Sequence, residues 1–302
     1  MIKIDKIYKK YFKKYRPIID SLNQVPLVNF IIQYLLLKVD NYYSRKYCGI
    51  DADLKSHGFN LSNNSFGNKI LYFVNAFNNE VLIKTSISMF KKHATKDDLL
   101  IVTDNSQNLE KREIIKNICS SEGIYYVPLP ENPRTQPNLN HGLALNYTYY
   151  QIVKKLKPFA FGFIDHDIFP TKKLDIKNKL MNSSMYGWKL DYRHKKYPWF
   201  GAFYLSVCFS FFKYDYVKDM QLNFMPTVIL RWNMVTGLDT GGGNYKILYS
   251  KDNLKDILFA KHTKNPNGTE WLDDWIHLSH CFIRSPEEIN SMINDIVQPI
   301  KK

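Results

Sequence analysis

Between Lys69 and Asp165 the chain alternates short runs of β-branched and aromatic residues with stretches of helical length, and this alternation constrains its fold most strongly. KILYFVNAF (69–77) predicts a strand, a helix follows to about His93, and DLLIVTDNS (98–106) predicts a second strand. A helix over 109–122 leads to a third strand in IYYVPLP. The segment NHGLALNYTYYQIVKKL, with Asn140 as its cap, predicts a helix feeding a fourth strand in FAFGFI (159–164). Strands joined through helices run parallel, so the pattern implies an α/β protein with a doubly wound, mostly parallel sheet.

Beyond Pro170 the alternation stops. An aromatic, irregular stretch, GWKLDYRHKKYPWFGAFYLSVCFSFF, precedes a turn at Gly241, Gly242 and Gly243. The expected organisation is a basic helical extension over 1–68, ending in the polar NLSNNSFGN, and a domain over 69–302. Within that domain 69–170 is the ligand-binding half and 171–302 the far wall of a cleft. No internal repeat or low-complexity tract is visible, which argues against a solenoid or a disordered tail.

The chain has 302 residues, 45% of them hydrophobic, enough for a full core, and a formal net charge of +14 that draws polyanions. Its first 16 residues, MIKIDKIYKKYFKKYR, interleave Lys and Arg with Ile, Tyr and Phe, as an interfacial amphipathic segment does on an anionic membrane surface. The apolar stretch 25–39 is shorter than the ~20 residues of a membrane span and is broken by Asn29 and Gln33, leaving surface attachment or a buried helix. Cys48, Cys119, Cys208 and Cys281 are scattered without close pairs, so neither a zinc knuckle nor a disulfide framework is expected. A cytoplasmic protein, peripheral on the inner face of a membrane, fits these features.

The fourth strand ends in Asp165, His166 and Asp167. On an extended strand residues i and i+2 share a face, so both carboxylates are candidates to hold one divalent cation while His166 points away. Spacing alone does not single the pair out, because Asp51 and Asp53 repeat it in a polar stretch. Position does: open α/β sheets bind ligands at the carboxyl ends of their strands. The same edge should carry Asn75 and Phe77 after the first strand and Asp104 and Asn105 after the second, as candidate ligand contacts; turn formation explains the latter two equally well. Asn140, His141 and Gly142 would open a helix whose amides can face an anion, with capping the plainer role. Trp199, Phe200 and Gly201 could wall a ligand or simply fill a core.

In their order along the chain, FVNAFNN, NHGLALN, FIDHDIFP, YPWFGAF, GLDTGGG and WIHLSH resemble the motifs of GT-A fold glycosyltransferases, over roughly residues 69–283. The resemblance implies a Rossmann-like sheet flanked by helices, a nucleotide-sugar donor, Mn²⁺ or Mg²⁺ as cofactor, and a glycan or lipid-linked acceptor, with inversion as the expected outcome. It implies Asp165 and Asp167 as metal ligands, Asp165 also meeting the donor, with Asn75, Phe77, Asp104 and Asn105 toward the donor's base and ribose, Asn140, His141 and Gly142 toward its diphosphate, and Trp199, Phe200 and Gly201 beside a sugar. His277 in WIHL is the preferred third ligand over His280. Asp239 is the first candidate for the base that takes the acceptor proton, with Glu270, Asp273 and Asp274 as rivals. In GLDT, Asp239 follows Leu238 where the family usually pairs two acids.

Other functions are compatible with parts of the sequence. A nucleotidyltransferase would show a Gly-rich basic loop after the first strand, and FVNAFNNEV has neither Gly nor Lys. Nucleic-acid binding would suit the charge and aromatics, but no helix-turn-helix, zinc or RNA-recognition signature is present, and no nucleic-acid partner is expected. A non-catalytic membrane scaffold is the remaining possibility.

Overall fold

The structure is a computed structural model that describes residues 26–61, 65–193, 202–231, 234–249, 254–265, 269–278 and 286–297. The basic segment 1–16, the trio Trp199, Phe200 and Gly201, and His280 lie outside the described residues.

Seven strands form the main sheet: β1 (Ile70–Ala76), β2 (Asp98–Asp104), β3 (Tyr125–Pro128), β4 (Ala160–Asp165), β6 (Met185–Asp191), β7 (Phe203–Lys213) and β10 (Ile257–Phe259), in the order β10-β6-β7-β4-β1-β2-β3. All pairings are parallel except those of β7 with β4 and β6. This is the mostly parallel, Rossmann-like sheet implied by the motifs, and the four predicted strands are its β1 to β4. The irregular half contributes more to it than expected, since β6, β7 and β10 all come from beyond Pro170. A smaller sheet, β11-β12-β13-β5, joins His262–Lys264, Glu270–Leu272, Trp275–His277 and Ile168–Pro170; β8 (Thr227–Arg231) and β9 (Met234–Leu238) form a hairpin.

Strand β1 shows why the sheet is buried on both sides. Ile70, Tyr72 and Val74 enter one core cluster with Ile83, Ile87 and Phe90, while Leu71 and Phe73 enter the other with Phe161 and Phe163. Burying each such side chain contributes about 1.5–3 kcal/mol, and the period of two splits that gain between the faces. Helices α2 (Glu80–His93) and α3 (Leu109–Ser121) serve the first cluster, and their starts are set by Asn79 and Asn108, whose side chains accept from Leu82 N and Lys111 N, each at 3.1 Å.

On the other face lie α1 (Pro26–Cys48) and α4 (Pro137–Tyr147), the latter continuing through a π-helical turn at Thr148–Val153. The described part of the N-terminal region is docked onto this face: Tyr47 donates to Pro130 O at 2.8 Å, Asn146 donates to Ser44 Oγ at 2.9 Å, and Asp40 pairs with Arg134. Helix α4 is capped at Gln136 and starts four residues earlier than expected, so Asn140 sits inside its first turn and is not its cap. Pro137 explains this, because it is pre-set for a first helical position and needs no N–H partner there. Short helices α5 (Ile176–Met181) and α6 (Tyr214–Val217), and α7 (Pro286–Val297), complete the described elements named here.

Candidate functional site

Parallel register aligns the carboxyl ends of β1, β2 and β4, setting Asn75 opposite Asp165 and Ala76 opposite Asp104. Asp165 is the last residue of β4. Asp167 is not two residues further along that strand, because the chain turns at His166 and Asp167 before β5 begins. The carboxylates therefore flank a tight turn instead of sharing a strand face. They still interact, since the charge of Asp165 helps to raise the Asp167 carboxyl.

His141, at the start of the second turn of α4, brings Nε2 to 3.6 Å from Asp165 Oδ1, and the Cys208 thiol donates to the same carboxylate. Burial pushes the Asp165 carboxyl up, but His141, Cys208, His166 and His277 outweigh it and hold the group below its ordinary value. Cys208 is driven well above the usual thiol range, by burial first and then by Asp165, so it remains a neutral donor. His166 turns the other way, its Nδ1 3.3 Å from Asn75 O, and burial lowers its pKa.

Asp167 is pushed up to about 7, chiefly by burial and further by Asp165 and Glu270, against the pull of His277. Its neighbour comes from the small sheet: β13 pairs antiparallel with β5, putting His277 opposite Ile168, and Leu278 N donates to Asp167 O at 2.9 Å. His277 Nε2 then lies 3.7 Å from Asp167 Oδ1, and its Nδ1 lies 3.1 Å from Glu270 Oε2. Burial raises the Glu270 carboxyl, yet His277, Lys264 and His262 together keep it below its ordinary value, so it is an ionised acceptor. The Nδ1 proton thus belongs to the Glu270 bond, and Nε2 is the nitrogen left facing Asp167.

Among the described residues no three His, Cys, Asp or Glu side chains close a metal cage by themselves. The donor set nevertheless fits a hard divalent cation. Such ions take one or two carboxylates and fill the rest of their shell with phosphate oxygens and water, and the facing Nε2 and Asp167 carboxylate call for a positive centre.

The other expected residues divide into those at this edge with free polar groups and those with their groups committed. Asn75 Oδ1 is buried without a hydrogen-bond partner, and Phe77 is exposed in the loop after β1. Asp104 is fully buried; it accepts from Ser106 N and the Tyr126 hydroxyl, both at 2.8 Å, with Arg112 Nε 3.9 Å away. Asn105 donates to Asn140 Oδ1 and accepts from Asn132 at 3.1 Å, and Asn140 in turn donates to Arg134 O at 2.7 Å. These two amides hold the β2 loop to α4.

Asp239 is exposed in the turn after β9. Its Oδ1 accepts from Thr240 N at 2.7 Å, and Thr240 Oγ1 donates to Asn138 O at 3.1 Å, seating the turn on the start of α4. Gly241 next to it has φ +90, and a Cβ there would meet Val207 Cγ1 at 2.5 Å. Of the rival acids, Asp273 is taken by Tyr186, Lys179 and the Lys261 amide, and Asp274 pairs with Lys172 at the surface. Glu270 contacts His277, and its charge also helps to raise the Asp167 carboxyl.

Sequence reasoning missed Cys208 and the neighbours of His277. Trp188 of β6 lies 4.9 Å from the His262 ring and 5.9 Å from that of His277. Local pattern carries no signal for these contacts, although a Glu seven residues before a His across a turn of Asp273 and Asp274 is compatible with a hairpin pair.

No protein-family profile matches the chain, and neither does any curated protein sequence. Similar solved structures include glucosyl-3-phosphoglycerate synthase from Mycobacterium tuberculosis in complex with Mn²⁺, uridine diphosphate and glucosyl-3-phosphoglycerate, at 14% identity and TM-score 0.40, covering 80% of this chain and 82% of that one. The mannosyltransferase PcManGT from Pyrobaculum calidifontis, in complex with GDP-Man and Mn²⁺, is 8% identical with TM-score 0.37, over 67% of this chain and 59% of that one. S. aureus TarS is 15% identical with TM-score 0.35, over 52% of this chain and 30% of its own. The chain thus spans less than two thirds of the latter two proteins, and all three likenesses are faint.

Proposed function

We propose that the chain is a metal-dependent glycosyltransferase that moves a sugar from a nucleotide-sugar donor to a hydroxyl of a glycan or lipid-linked acceptor. The observation that carries this reading is the convergence of Asp165, Asp167 and His277 at the carboxyl end of β4, with His277 brought there from 110 positions along the chain by the β5–β13 pairing.

Asp165, Asp167 and Nε2 of His277 would hold Mn²⁺ or Mg²⁺, and the imidazole favours Mn²⁺. When bound, the cation would act as a Lewis acid toward the negative charge that develops on the departing nucleoside diphosphate. The protein's own groups do the rest. His141 and Cys208 keep Asp165 ionised and oriented, and Glu270 holds the His277 ring in one tautomer. Asn75, with its buried unpaired oxygen, and Phe77 face the nucleotide. Asp239, exposed on a turn fixed by Thr240 and Gly241, is the candidate for taking the acceptor proton. The same reading includes a basic N-terminus that reaches an anionic membrane surface.

A thermal-shift panel of nucleoside diphosphates and nucleotide-sugars, with and without Mn²⁺, tests the assignment. A ligand at 100 times its dissociation constant stabilises by about 2.7 kcal/mol. Stabilisation that needs both nucleotide and metal, and that is lost in Asp165→Ala, is expected. Donor and metal binding that survives Asp165→Ala refutes the site.

A further inference from the structure

Helix α1 buries one side and leaves the other open. Asp40, Ser44 and Tyr47 are buried, and the helix packs against α4, β8 and β9. Leu27, Ile31, Tyr34, Leu35, Val39 and Tyr42 are each 46–58% exposed. Their spacing of three and four places them on one stripe, and from Leu27 to Lys46 the helix runs about 30 Å at 1.5 Å per residue. No described helix is long and apolar enough to cross a membrane, and an exposed apolar stripe of this length marks an interaction surface.

The charges on the stripe indicate the cover. Lys38, Arg45 and Lys46 lie on the same exposed side, with the Lys38 ammonium 5.1 Å from the Tyr34 ring and that of Lys46 4.8 Å from the Tyr42 ring. Asp40 is the helix's only acid, and it is buried against Arg134. The open face therefore combines large apolar side chains with cations alone. A second copy of the chain would set this cationic face, and a net charge of +14, against its like. The N-terminal segment before the helix is itself strongly basic and is repelled in the same way.

We propose that the exposed face of α1 lies flat on an anionic lipid bilayer, its apolar side chains below the headgroups and Lys38, Arg45 and Lys46 at the phosphates. The anchor of the chain is thus this helix, in addition to the basic residues ahead of it. The proposal does not depend on the transfer chemistry.

Vesicle flotation of the full chain tests it. The protein should float with vesicles of phosphatidylglycerol in phosphatidylcholine and not with phosphatidylcholine alone. The double variant Leu35→Glu, Val39→Glu should bind at least about tenfold more weakly, and Lys38→Gln, Arg45→Gln and Lys46→Gln about fivefold each at low salt, with the deficit of the three charge variants shrinking in high salt as the parent's own electrostatic attraction is screened. Because these side chains are exposed, the melting temperature and nucleotide-dependent stabilisation should not change, which separates failure here from failure of the glycosyltransferase reading. Three outcomes overturn the proposal. The first is equal binding to neutral vesicles. The second is vesicle binding that survives the stripe variants but not neutralisation of the lysines in 1–16. The third is a dimer, seen by light scattering, that the stripe variants dissociate.

Discussion

Glu270 and His277 face each other across the β12–β13 hairpin, with the carboxylate Oε2 3.1 Å from the imidazole Nδ1. This contact leaves Nε2 as the nitrogen turned toward Asp167. Glu270 is thereby a positioning residue for His277. Glu270→Gln removes the charge that fixes the tautomer while keeping the side-chain shape, and partners of this kind typically contribute 10–100-fold to metal affinity. Mn²⁺ binding followed by electron paramagnetic resonance of the free ion should weaken by that order, with little change in melting temperature. A melting temperature that collapses with unchanged Mn²⁺ affinity would assign Glu270 to folding instead.

Asp104 was a sequence candidate for nucleotide contact, and in the fold its carboxylate serves the Ser106 amide, Tyr126 and Arg112. Asp104→Ala removes the acceptor of the buried Ser106 amide and of the half-buried Tyr126 hydroxyl, at about 1–3 kcal/mol for each group left unsatisfied. Urea unfolding should show this loss. Donor affinity, measured by calorimetry on the folded fraction, should change by less than the affinity change in Asn75→Ala.

Gly142 allows α4 to approach the 224–225 segment closely enough to hold His141 over Asp165. A Cβ on it would sit 2.8 Å from Phe224 O and 3.0 Å from Met225 Cα, both backbone atoms that cannot swing aside. Gly142→Ala should cost about 1–3 kcal/mol from overpacking and also weaken donor binding by displacing the part of α4 that carries His141. Calorimetric melting and a donor titration on the same sample read both effects.

Asp273 has a left-handed backbone, φ 51, and accepts from Tyr186 at 2.7 Å, Lys179 at 3.0 Å and the Lys261 amide at 2.9 Å. Burial raises its carboxyl, but these three partners outweigh burial and lower its pKa. A carboxyl depressed in the folded state stabilises above its unfolded pKa, about 3.9, and loses that contribution as pH falls through the folded value. Asn tolerates the left-handed conformation, so Asp273→Asn isolates the charge. Denaturant melts should find the variant about 1–3 kcal/mol less stable at pH 7, with the difference closing below about pH 4. A gap that persists unchanged into acid would contradict the charge-based account.

The parts of the fold that local pattern encodes were readable in advance. The alternation from Lys69 to Asp165 determined β1 to β4 and their parallel arrangement, because a strand buried on both faces has to be short and apolar throughout. The same pattern determined that Asp165 ends a buried strand, where open sheets bind ligands. It could not show that Asp167 lies past a turn, that Pro137 starts α4 early, or that β6, β7 and β10 return to the main sheet. Tertiary structure alone decided how the site is completed. His277 meets Asp167 through two three-residue strands more than a hundred positions apart, Cys208 meets Asp165 through the antiparallel β7, and Glu270 meets His277 through a hairpin. Strands that short carry almost no periodicity, and their pairing is selected by the packing of the whole sheet, so the carboxylate pair was visible in the sequence while its partners were not.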